Sequence, residues 1–71
     1  MVEIEPLQVE IEQEEDGRFL ASVPVLPGVM AYGDTEDSAL RRAKAIALQV
    51  LAYMVESGEE LPQRLKMLFA A

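Results

Sequence analysis

The sequence predicts an α+β domain: a three-stranded antiparallel β-sheet in β-β-β-α order, packed on one long helix and followed by a short C-terminal helix or strand. Three observations carry that expectation. Apolar and polar residues alternate over Leu7–Ile11 and again over Phe19–Val23, the period of strands with one buried face. No Gly or Pro interrupts the chain from Thr35 to Ser57, and its apolar residues recur at helical spacing. Between these regions stands Pro24-Val25-Leu26-Pro27-Gly28, a corner built from conformationally restricted residues. At 71 residues the chain holds one domain, residues 1–71.

In the first strand Leu7, Val9 and Ile11 form the expected buried face, and Gln8, Glu10 and Glu12 the solvated one. Glu14-Glu15-Asp16-Gly17 breaks the run, and Gly17 tolerates the positive φ that a tight hairpin requires. Phe19, Ala21 and Val23 resume the alternation as a second, antiparallel strand, which Pro24 ends because it cannot donate to the ladder. Pro24 and Pro27 fix φ at their own positions, Leu26 sits between them, and Gly28 supplies an angle other residues avoid. Val29–Gly33 reads as a third strand, with either Val29 and Ala31 or Met30 and Tyr32 turned inward.

Asp34 leads into Thr35, the expected N-cap, and Glu36 and Asp37 follow in the first turn, where the helix dipole favours anions. Ser38 stands where a capping box would carry Glu or Gln, so the cap is expected to be incomplete. Ala39, Leu40, Ala43, Ile46, Ala47, Val50, Leu51 and Met54 share one stripe, wide enough to cover three strands. Ala43 and Ala47 at its centre permit a close approach. Gly58 is a natural C′ residue, and Pro62 forbids simple continuation. Beyond it Leu65, Leu68 and Phe69 recur at helical spacing. Leu48 and Val55 fall outside this stripe, together on the side that carries Asp37, Arg41 and Lys44. They form a candidate self-association surface, because so small a domain gains stability from oligomeric burial; a dimer or larger homo-oligomer is expected.

Residue types exclude much chemistry. Neither Cys nor His occurs, which removes disulfides, thiolate and imidazole metal sites and histidine-based triads. Ser22, Ser38, Ser57 and Thr35 lack an imidazole base, and spacing brings neither Lys44 nor Lys66 to a hydroxyl. Gly28 and Gly33 are followed by no Gly-Lys pair, so no phosphate loop is written. Glu10 and Glu12 share a strand face with Asp16 and Asp34 near strand ends, but a two-metal nuclease needs carboxylates that converge. No enzyme activity, cofactor or metal is expected.

Thirteen acidic residues against six basic give a net charge of −7. Residues 1–40 hold ten of the acidic groups and one basic group, Arg18, whereas residues 41–71 hold three and five. That acidic half repels phosphate, so direct DNA binding is not expected, and it attracts a basic protein. Arg41, Arg42, Lys44, Arg64 and Lys66, with Tyr32 and Tyr53 for stacking, leave a small RNA-associated domain as the alternative. Met1–Pro6 lacks a basic start and apolar core, and Ala45–Val55 is too short to span a bilayer. A cytoplasmic protein without membrane contact is the default expectation.

Asp16-Gly17 before an aromatic strand, then Val23-Pro24-Val25-Leu26-Pro27-Gly28, then Gly33-Asp34-Thr35 and a helix opening with Ser38-Ala39-Leu40 resemble the HicB-like antitoxin domain. The ordered set runs from about Leu7 to Pro62, most of the chain. This resemblance implies a partial ribonuclease-H or double-stranded-RNA-binding fold and a type II toxin–antitoxin role. In that role the protein oligomerises and neutralises a HicA-like partner, a small basic RNA-cleaving toxin. The matched residues Gly17, Pro24, Leu26, Pro27, Gly28, Gly33, Asp34 and Thr35 carry fold rather than catalysis. The DNA-binding module of many such proteins has no counterpart among these residues, so operator binding is not implied, and an orphan structural role is a further alternative.

Overall fold

The computed structural model describes residues 7–68. Strand β1 (Glu10–Gln13), β2 (Phe19–Ser22) and β3 (Met30–Gly33) form an antiparallel sheet in the order β1-β2-β3, followed by helix α1 (Glu36–Glu56). The α+β class and element order are those the sequence predicts. The final element, Gln63–Leu68, is a short 3₁₀ helix, the helical one of the two forms the sequence allowed. Its Leu65 is buried, and the Leu65 N–H donates to the Pro62 carbonyl at 2.8 Å. Phe69 lies outside the described residues, as does the Leu68 side chain.

The hairpin between β1 and β2 turns at Glu14–Gly17. The Gly17 N–H donates to the Glu14 carbonyl at 3.0 Å, and the Glu14 N–H to the Arg18 carbonyl at 2.7 Å. Gly17 has φ 93°, so this is a three-residue loop closing with a left-handed glycine. The corner between β2 and β3 is two consecutive turns. The Leu26 N–H donates to Val23, the Val29 N–H to Leu26, and the Val23 N–H to Val29, each at 3.0 Å. Pro27 followed by Gly28 at φ 86° is the residue pair of a type II turn. The double turn drives Leu26 into the core with Val23, Val29 and Ala47.

Register settles which residues face the helix. Ile11, Ala21 and Ala31 are cross-strand neighbours, as are Glu12, Leu20 and Tyr32. Ala21, Val23 and Val29 are buried, so Val29 and Ala31 turn inward while Met30 and Tyr32 face out. Helix α1 lies on that inner face through Ala39, Ala43 and Ala47, all buried, with the rest of the stripe half-buried around them. Its contacts run to β3 and β2. Ile11, expected in the core, is instead 37% exposed. It occupies the correct face, but on a strand the helix does not cover.

Both ends of α1 are closed by local hydrogen bonds. Thr35 Oγ1 accepts from the Ser38 N–H at 3.0 Å, and Ser38 Oγ accepts from the Thr35 N–H at 3.2 Å. The capping box expected to be incomplete is therefore complete, because the serine hydroxyl reaches back as a Glu or Gln would. At the other end Gly58, φ 75°, donates to Val55 and Glu59 donates to Met54, the paired bonds of a Schellman motif.

Gly33 and Gly17 are needed for different reasons. A β-carbon on Gly33 would stand 2.3 Å from Ser38 Oγ and 2.4 Å from the Ala39 nitrogen, whereas one on Gly17 would meet nothing within 4 Å. Gly33→Asn is expected to destabilise by about 1–3 kcal/mol, the overpacking range. Gly17→Asn should cost little, because asparagine tolerates the left-handed region. Urea midpoints of the two variants check this; equal losses would place the constraint elsewhere.

Candidate functional site

The hairpin tip is organised by Arg18. Its guanidinium Nε donates to Asp16 Oδ2 at 2.8 Å, its backbone N–H donates to Asp16 Oδ1 at 3.0 Å, and its Cζ stands 4.5 Å above the Tyr32 ring centroid. Tyr32 faces Leu20 across the ladder, so its ring lies on the outer sheet face, where Arg18 can reach it. The backbone N–H and then the guanidinium hold the Asp16 carboxyl below the usual carboxylate range. Tyr32 thus serves as a platform for a cation of its own chain.

The outer face combines charge with apolar surface. Glu10 and Glu12 project from β1, all four of whose residues are exposed. Beside them stand Leu20 from β2 and Met30 and Tyr32 from β3, the last two half-exposed. Among the described residues no group of three or more carboxylates gathers to hold a metal ion. Glu10, Glu12, Asp16 and Asp34 do not meet in one cleft: the hairpin hollow of Glu14, Glu15, Asp16, Arg18 and Tyr32 includes only one of them.

On the inner face, the segment just before β1 and one side of α1 enclose an apolar cleft of about 290 Å³ lined by Leu7, Val9, Val23, Lys44, Ala47 and Leu48. Leu48 is 68% exposed and Val55 is 51% exposed. They do not share one cavity; Leu48 borders the cleft, and Val55 lies two turns farther along the helix. Tyr53 is exposed as well, but on a different side of the same helix. A second cleft, of about 460 Å³, separates the Val25–Pro27 corner from Leu61–Gln63.

The basic residues are dispersed. Arg41 Nε pairs with Asp37 Oδ2 at 2.9 Å, one helical turn away, and Arg42 Nη1 donates to the Tyr32 carbonyl at 3.0 Å. Lys66 pairs with Glu60 beyond the helix, holding that carboxyl low as well. The Arg64 side chain lies outside the described residues. Gly17, Pro24, Leu26, Pro27, Gly28, Gly33, Asp34 and Thr35 sit in the turns, the corner and the helix cap. Sequence reasoning missed the bare inner side of β1 and the use of Arg42 on the sheet edge, since neither follows from the pattern of one element.

No helix among the described residues is long and apolar enough to cross a membrane. Comparison with protein-family models, curated proteins and solved structures returned no match.

Protonating Asp16 removes the negative charge that strengthens both bonds from Arg18, so any stability it contributes is present above the ordinary carboxylate pKa and is lost as pH falls through the lowered one. In an Arg18→Gln variant the carboxyl should titrate higher than in the parent yet below the ordinary value, because the backbone donor remains. Carboxyl-carbon NMR titration reads this directly; an unchanged curve would mean the ion pair is not populated.

Proposed function

We propose that the chain is a non-catalytic protein-binding module of the HicB-like antitoxin kind, acting in the cytoplasm and neutralising a small basic RNA-cleaving toxin by direct binding. The observation that carries this reading is the outer sheet face, where Glu10 and Glu12 flank the apolar group Leu20, Met30 and Tyr32. Aromatic and methionine side chains beside charged ones are the composition of a protein interface with a polar rim. Carboxylates there accelerate encounter with a basic partner and discriminate against acidic ones. The turn and cap roles of the HicB-like motif residues support a protein that works through its surface. An RNA-binding role draws less support, because Arg41 and Arg42 are engaged with Asp37 and Tyr32 of their own chain.

Self-association belongs to the same reading. Leu48 and Val55 on α1 supply the surface, and the small side chains of the core supply the reason. Among the described residues no buried side chain is larger than leucine, so a protomer has much to gain from a partner copy. Light scattering of the full chain at micromolar concentration should report a dimer or larger. A Leu48→Glu, Val55→Glu variant should report a monomer, and an unchanged mass would remove those residues from the interface.

The partner itself is checked by affinity capture from the native cytoplasm with the full chain as bait. A small basic protein should be recovered, should cleave RNA when freed, and should lose that activity when the chain is restored. Glu10→Lys with Glu12→Lys should weaken the complex by about tenfold or more. Recovery of no basic protein would sink the antitoxin role, as would a captured protein without RNA-cleaving activity.

A further inference from the structure

The two edges of the sheet are not equivalent. In an antiparallel ladder, residues alternate between bonding toward one neighbour and pointing away from it. The Glu14 bond to Arg18 sets this phase for β1, so Glu10 and Glu12 bond toward β2 while the N–H and C=O groups of Ile11 and Gln13 face the free edge. The Val23 bond to Val29 sets it for β3 and leaves the Tyr32 carbonyl facing outward. Arg42 of α1 caps that carbonyl at 3.0 Å. Among the described residues the helix caps one carbonyl of the β3 edge, and nothing bonds the outward backbone groups of Ile11 and Gln13 on the β1 edge.

The open edge is chemically two-sided. Along Glu10–Asp16 every second residue is acidic: Glu10, Glu12, Glu14 and Asp16. Glu10 and Glu12 stand on the outer face, Ile11 stands on the inner face, and Val9, just before the strand, lines the apolar cleft that Leu48 borders. An added antiparallel strand whose backbone bonds Ile11 and Gln13 must set its own side chains opposite these, about 5 Å away. A second copy of β1 fails that requirement. Any antiparallel register that keeps the outward-bonding positions 11 and 13 together sets Glu10 and Glu12 against another carboxylate, because all four even positions are acidic. A strand alternating Lys or Arg with apolar residues satisfies both faces at once.

We propose that the open edge of β1 docks an extended strand of a basic protein partner, with its cationic side chains against Glu10 and Glu12 and its apolar side chains over Val9 and Ile11. This inference rests on the protein-binding reading above and names the mode of that binding. Backbone bonds to the edge supply affinity, and the alternating faces supply selectivity. The self-association surface is distinct in kind, being helical rather than a strand edge.

The test uses the full chain and an acetylated, amidated heptapeptide alternating lysine and valine. Saturating peptide should slow amide exchange at Ile11 and Gln13 by tenfold or more and leave Tyr32 unchanged. The peptide with glutamate in place of lysine should bind at least tenfold more weakly. An Ile11→Pro variant removes an outward N–H without touching the β1–β2 ladder, so it should fold yet lose binding by tenfold or more. If that variant fails to fold, exchange in the parent chain still decides. Equal binding of the glutamate peptide, or binding with free exchange at Ile11 and Gln13, overturns the proposal. So does protection of those amides by raising protein concentration alone, which would mean a second copy takes the edge. A captured native toxin that leaves these amides exchanging freely would keep the antitoxin role and discard the edge. Peptide docking at β1 with no toxin captured would do the reverse.

Discussion

Contact between Gly33 and the first turn of α1 is the constraint on which the rest of the molecule depends. No β-carbon fits between that glycine and the Ala39 backbone, so the chain leaves β3 and enters the helix with almost no separation. Ala39, Ala43 and Ala47 extend the close approach along the helix axis, with Ala21 buried in the sheet opposite. Interiors pack densely, and small residues at a contact let main chains come near. A helix drawn tightly over β2 and β3 is too narrow to shelter β1 as well. The exposure of Ile11 and the cleft beside Leu48 follow from that placement.

The same constraint sets the energetics. Cores lined by alanine bury little area per side chain, and stabilisation scales with the apolar area removed from water. The chain offsets this with local hydrogen bonds wherever it changes direction. The hairpin, the double turn at Pro24–Gly28, the capping box at Thr35 and the Schellman motif at Gly58 each satisfy backbone groups without a large core. These bonds join residues near in sequence, so they cost little loop entropy to form.

Much of this was legible in the residues. Alternation located both hairpin strands, Asp16-Gly17 located their turn, and the 3.6-residue period located the whole buried stripe of α1. Gly58 marked the helix end. Periodicity, however, reports which way a side chain points and not whether anything lies above it. Ile11 points inward as its pattern requires and remains exposed because coverage is a tertiary property. The facing of β3 needed its register with β2, since Val29–Tyr32 is apolar on both sides. Ser38 was misjudged for a different reason: its short hydroxyl closes the capping box that the usual pattern assigns to a longer side chain. The terminal leucines signalled burial at Leu65 but not the tighter 3₁₀ winding.

The carboxylates at alternate positions along the hairpin have a consequence for how identical chains meet. Exposed strand edges are templates for fibrils, and evenly spaced like charges are one way to forbid endless stacking of identical chains. With uncharged side chains at Glu10, Glu12 and Glu14 the main chain at Ile11 and Gln13 would offer the same template with nothing to bar cross-β growth. The signs along one short strand therefore guard the molecule against its own copies.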